Sequence, residues 1–282
     1  GGTKGHSTAA TPATSPDSNS ASPRNRMGNR VAALGQASHL PVYFERPPHD
    51  PLQPAPVTVT TQDQLDTALN TPGLTLILLE GPGLNVGSPP RNPACRVVAK
   101  THASVTGKGI LYADDFDISA SGTAEVHVGG TARVTAVDDA RVIATGGDIW
   151  AYNRARVKIN AVTYGCVYAH DSARVTARGV TSVTAQDDVQ VTAYDSTCVT
   201  AEGRARVTSH HDAFVTASDN VEVNANGTGT INTFDNVRVN AIGPGTVHAD
   251  GESTVIANSG TVHVYSPDVS LTNHGATIIR EH

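Results

Sequence analysis

Catalysis needs acids, bases, nucleophiles or metal ligands brought close together, and few residues in this chain are spaced to do that. His210-His211-Asp212 is the dense metal-like cluster. Two imidazoles and a carboxylate suit a transition metal. Adjacent side chains on an extended segment point to opposite sides, however, so these three need a further ligand to share an ion. The same residues also suit a solvated turn. Asp171, Asp187, Asp195, Asp219 and Asp235 recur at regular intervals. Stacked Asp171 and Asp187 could share a calcium ion, but the glycine-rich nonapeptide that builds such sites is missing. At turns the same carboxylates can accept backbone N–H bonds. Glu222 is the main carboxylate beside the recurring valines, short of the acid–base pair that glycoside cleavage uses. GxSxG, GxxxxGK[ST], HExxH and EF-hand patterns are all missing. The expectation is a chain with no catalytic residues and no cofactor, and with His210, His211 and Asp212 as weak metal candidates.

The elements that must position these residues follow from an octad. Across 171–257 a valine-like residue returns every eighth position: Val175, Val183, Val191, Val199 and Val207, and so on to Val255. A small residue, mostly Ala, follows two later, and Asp, Gly, His or Ser four later. Alternation at period two is a strand signature, and the Asp/Gly position is turn chemistry. A fixed period means stacked units, none of which buries a face alone.

The residue before each valine shows that the full coil is two octads. One set reads Arg174, Gln190, Arg206, Glu222, Arg238, Thr254; the other reads Ser182, Cys198, Phe214, Thr230, Thr246. Only a spacing of about sixteen keeps charged and uncharged residues apart. The predicted fold is all-β: an elongated, two-sided parallel β-solenoid with Val175 over Val191. Small inward residues would let its sheets approach closer than the usual ~10 Å, which fits a chain with 4% aromatics and Trp150 as its one Trp. Between Val157 and Val167 the step is ten, placing two extra residues near 160–165.

The outward threonines Thr176, Thr184, Thr192, Thr200, Thr208 and Thr216 continue as Asn224, Asn232 and Asn240. Flat threonine arrays can bind ice, but Thr also favours strands, and the asparagines suit stacked amide ladders. Cys166 and Cys198 fall two coils apart on the uncharged face, with Ser182 between them. That is roughly 9–10 Å, beyond disulfide reach. With Cys95 they read as three free thiols, which favours a cytoplasmic setting.

Before the repeat, 1–55 reads as a flexible segment and Pro-rich linker. Within it Val31, Leu34, Leu40, Val42, Tyr43 and Phe44 form an apolar stretch, either docking a protein partner or lying against the chain's own solenoid. Residues 56–97 read as a strand–helix–strand cap and loop, with Thr60 or Thr61 capping a helix over 62–70; 98–282 reads as the solenoid. The start has no signal-peptide pattern, and no apolar run reaches the ~18 residues of a membrane span. The last coil is expected to end in a charged tail that leaves its edge open to pairing. A net charge of -6 argues against a general nucleic-acid surface.

Octads such as Ala173-Arg-Val-Thr-Ala177 and Val191-Thr-Ala-Tyr-Asp195-Ser resemble the Ala-x-Val-x-Ala-Tyr-Asp-Ser repeats of bacterial and phage β-solenoid proteins. The resemblance covers about 124–264, and the architecture is also similar to bactofilins, which polymerise end to end. It implies a non-catalytic rod that spaces, displays or multimerises. Two alternatives are a solenoid that binds polysaccharide or protein, as in tail-spike, surface or toxin-associated systems, and a β-helix enzyme acting on polysaccharides.

Overall fold

The computed structural model describes residues 55–281. Apart from one helix, its regular structure is 25 short parallel strands wound into a solenoid of about 14 turns. Most strands pair with the strand two further along the chain, as the two-octad coil requires; around the two long strands Arg156–Ala169 and Arg174–Ala185, which take part in both sides, consecutive strands pair as well. Arg174–Ala177 lies in register on Gln190–Ala193, which lies on Arg206–Ser209, then Glu222–Ala225 and Arg238–Ala241. On the other side Ser182 lies beside Cys198 and Val183 beside Val199. At ~4.8 Å per rung the stack is about 60 Å long.

The core is a pair of ladders. Val175, Val191, Val207, Val223, Val239 and Val255 stack on one side, and Val183, Val199, Val215, Ile231, Val247 and Val262 on the other, all essentially buried. Each buried Val contributes roughly 1.5–3 kcal/mol of transfer free energy. Because side chains alternate along a strand, the Ala two residues on also points inward; Ala177, Ala185, Ala193 and Ala201 are at 0% exposure and complete the thin interior.

The turns explain the aspartates. Asp138, Asp171, Asp187, Asp195, Asp219 and Asp235 all have φ between 55° and 64°, and Asn153 and His211 share this left-handed conformation. It is unfavourable for L-residues, Asp and Asn being the usual exceptions. The carboxylates act between coils. Asp187 Oδ2 accepts from the Asp171 N–H at 3.3 Å, Asp171 Oδ2 from Asn153 N–H at 2.9 Å, and Asp219 Oδ2 from Gly203 N–H at 3.1 Å. Gly203 (φ 75°) takes the same place in this stack without a side chain.

At the start of the described residues, strand Val57–Val59, helix Gln62–Asn70 and strand Leu76–Leu79 form one unit. Thr61 caps the helix in a reciprocal box with Gln64, and Leu65, Ala68 and Leu69 join the same apolar core as the strands.

Two expectations need correcting, and a third needs completing. The sheet carrying Ser182 and Cys198 is uncharged only from there on, since earlier rungs present Asp117, Arg133 and Asp148. The Thr and Asn series splits between the two sides because successive octads alternate. Only Asn224 and Asn240 stack, at 3.5 Å, while Asn232 lies between Thr216 and His248 on the other side. Finally, Cys166 keeps its outward place between Asp148 and Ser182, but it is buried there, with the Tyr164 hydroxyl on its sulfur.

Candidate functional site

The extra residues between Val157 and Val167 do not form a separate turn. Arg156–Ala169 and Arg174–Ala185 are long strands that run through the corner and belong to both sides, with a register break between Ala161 and Gly165. The coil is 18 residues long here, from Arg156 to its partner Arg174, and 15 in the preceding coil, from Arg141 to Arg156. The added backbone pushes Val162 (83% exposed), Tyr164 (61%) and, one coil on, Val180 (52%) into solvent.

Tyr164 folds back so that its Oη lies 2.7 Å from Cys166 Sγ. This hydrogen bond, and then the charge interaction with the Cys166 side chain, push the Tyr164 phenol up to about 12. Trp150 and Tyr168 stack on the same side, with ring centroids 5.4 Å apart. Burial alone raises the Cys95 thiol. Cys95, Cys166 and Cys198 are all unpaired.

The same coils carry an arginine run. Glu125, Arg141, Arg156, Arg174, Gln190, Arg206, Glu222 and Arg238 are successive rungs of one outward ladder. Its ends are compensated, with Arg141 at 3.5 Å from Glu125 and Arg206 at 3.4 Å from Glu222. Beside it, at the turn, Arg154 makes a bidentate pair with Asp139 (2.7 and 3.0 Å) and Arg204 one with Asp188 (2.8 and 2.9 Å). These bonds hold both carboxyls below, and both guanidiniums above, their usual ranges. Among the described residues, neither Arg156 nor Arg174 has a carboxylate within salt-bridge distance. Two shallow grooves, of about 410 and 420 Å³, flank this pair and share it as lining.

The sequence candidates are placed apart from one another. His210 stacks on Tyr194 at 4.7 Å, His211 Nδ1 lies 3.2 Å from Asp195, and Asp212 accepts from Ser196 Oγ at 3.2 Å. Among the described residues no group of three His, Cys, Asp or Glu side chains is arranged to hold a metal ion. Glu222 pairs with Arg206. Val31, Leu34, Leu40, Val42, Tyr43 and Phe44 lie outside the described residues. No described helix is long and apolar enough to cross a membrane.

Reading the sequence at a fixed spacing of sixteen missed the arginine run. Arg141 and Arg156 leave that comb because their coils have 15 and 18 residues. Realigning on the valines recovers them, since Arg156 precedes Val157 as Arg174 precedes Val175.

No protein-family model, curated protein or solved structure matches this chain. The class of protein is defined by its fold, a two-sided parallel β-solenoid with about 16 residues per turn.

Proposed function

We propose that this chain is a non-catalytic structural or assembly module, a rigid solenoid that spaces, displays or multimerises. The observation behind this reading is that the repeating polar side chains are engaged in holding coil to coil. Asp138, Asp171, Asp187 and Asp219 accept backbone N–H bonds from the neighbouring coil, and Asp139 and Asp188 clamp Arg154 and Arg204 across coils. A chain that spends its acids on rigidity has few left for acid–base chemistry. End-to-end association of the kind seen in bactofilins, and docking through Val31–Phe44, belong to this reading.

The test is particle mass and shape, by light scattering with electron microscopy, for the full chain and for a form lacking residues 1–55. The shortened chain should stay folded and change its assembly state or lose its partners. Unchanged mass and unchanged partners would remove the docking element. Turnover of a polysaccharide by the purified chain, abolished in Glu222→Gln, would replace the reading with an enzymatic one. A second reading, a binding solenoid, is favoured by one observation: among the described residues neither Arg156 nor Arg174 has a carboxylate within salt-bridge distance.

A further inference from the structure

Like charges directly opposite on neighbouring strands destabilise a sheet. The ladder of outward residues respects this rule at its ends, where glutamates alternate with arginines, and breaks it in the middle. Arg141, Arg156 and Arg174 follow one another on adjacent rungs, and among the described residues only Arg141 of the three has a carboxylate within salt-bridge distance. A local violation of this kind, with no direct ion pair for Arg156 or Arg174 among the described residues, is where a functional surface is to be sought. Around it the two grooves gather Arg141, Arg154, Arg156, Lys158, Arg174, Arg204 and Arg206 against only two carboxylates, Asp139 and Asp188. This happens in a chain whose net charge is -6.

We propose that this patch binds a linear acidic polysaccharide through its carboxylates, with Arg156 and Arg174 as the central anchors. Guanidinium matches carboxylate in a planar, two-bonded geometry that a lysine cannot reproduce. Rungs repeat every ~4.8 Å, whereas an extended peptide presents same-side residues every ~6.7 Å and slips out of step. Arg156 and Arg174, one rung apart, can share the two oxygens of a single uronate carboxylate, and the chain of pyranose rings, roughly 5 Å each at ~1.5 Å per bond, carries further uronates along the groove to the flanking basic residues. Ser172, Gln190 and the outer lone pairs of Asp139 and Asp188 line the same groove and suit sugar hydroxyls. No aromatic ring lines either groove, so the base stacking that holds single-stranded nucleic acid has no platform there. This goes beyond the rod reading and survives its failure, because it concerns a surface and not the assembly state.

The experiment titrates the full chain with polygalacturonate, a neutral glucan of similar length, poly-glutamate and single-stranded DNA, at two salt concentrations. The double variant Arg156→Gln/Arg174→Gln and the control Arg238→Gln are run alongside. Polygalacturonate should bind in a salt-sensitive manner, and the neutral glucan should not. The double variant should weaken binding at least tenfold while its thermal midpoint stays level or rises, since two like charges are removed. Arg238→Gln should change binding by less than twofold. Absence of polygalacturonate binding would overturn the proposal, as would equal affinity in the double variant, or tighter binding of poly-glutamate or DNA.

Discussion

The coils over 182–257 and the coils over 147–181 are built from the same octad and differ in what they leave unused. In the regular stretch every coil is 16 residues, Arg206 has Glu222, and the turn residues bond their neighbours. Its exposed large apolar residues, Phe214, Phe234, Ile242 and Ile256, are separated along the chain, as single surface apolars commonly are. In the irregular stretch coil length departs from 16, and the surplus appears as protruding Val162, Tyr164 and Val180, a stacked Trp150–Tyr168 pair and two arginines with no carboxylate within salt-bridge distance among the described residues. Strict period is the signature of residues employed in folding. Departure from it marks residues available for contact.

The sharpest break is in the regular ladder. Val207→Asp places a charge between Val191 and Val223 with no partner, costing several kcal/mol or more; calorimetry should show a large loss of thermal midpoint or no folded protein. Thr208→Ala on the same strand should stay within about 0.5 kcal/mol. Equal shifts would reverse the inward and outward assignment.

The turn ladder comes next. Asp187→Val puts a β-branched side chain at φ 64° and removes the acceptor for Asp171 N–H. Roughly 1–2 kcal/mol is expected from the backbone alone, and Asp187→Gly should lose less. Denaturant midpoints would rank the two variants, and the reverse order would remove the conformational explanation.

The late coils, where the step from Thr246 to Thr261 is 15, sharpen the comparison through pH. His248 stacks on His263 at 4.9 Å and bonds Tyr265 Oη at 3.1 Å, while His263 Nδ1 lies 2.9 Å from Glu281. Burial first, then the charge of His263, lowers the His248 pKa from 6.5, partly offset by Glu281. The unfolded chain therefore takes up this proton first as pH falls. The contribution is full above about pH 6.5 and declines below it. The thermal midpoint should fall between pH 7.5 and 5, and less so in His248→Gln. An identical pH slope in the variant would discard this histidine as the cause.

The smallest expected change in stability lies in the irregular stretch. Tyr164→Ala removes the lid from Cys166 and should leave stability within about 0.5 kcal/mol. The Cys166 thiol should then alkylate severalfold faster, with Cys198 as the internal reference. An unchanged Cys166 rate would show that the strands, and not Tyr164, shield it.

Much of this fold was legible because period and residue class coincide. Val175 over Val191, Ser182 between Cys166 and Cys198, and a helix over Gln62–Asn70 all follow from spacing and capping chemistry. The turn aspartates were legible as backbone acceptors, but not as acceptors for the neighbouring coil, since pairing across coils is a tertiary fact. The arginine run was hidden because a fixed spacing fails where coils lengthen. Burial of Cys166 was hidden because the path of the added residues, and not the strand pattern, decides where Tyr164 goes.

The comparison predicts that stability and contact are separable, and one chain tests this most directly. Delete Thr163-Tyr164 to restore the octad, change Arg156 and Arg174 to Gln, and measure thermal midpoint and polygalacturonate binding on the same sample. The account predicts a midpoint that is level or higher, with binding lost. A midpoint lowered by more than about 4 °C, on the order of 1 kcal/mol or more for a chain of this size, with binding intact would contradict it.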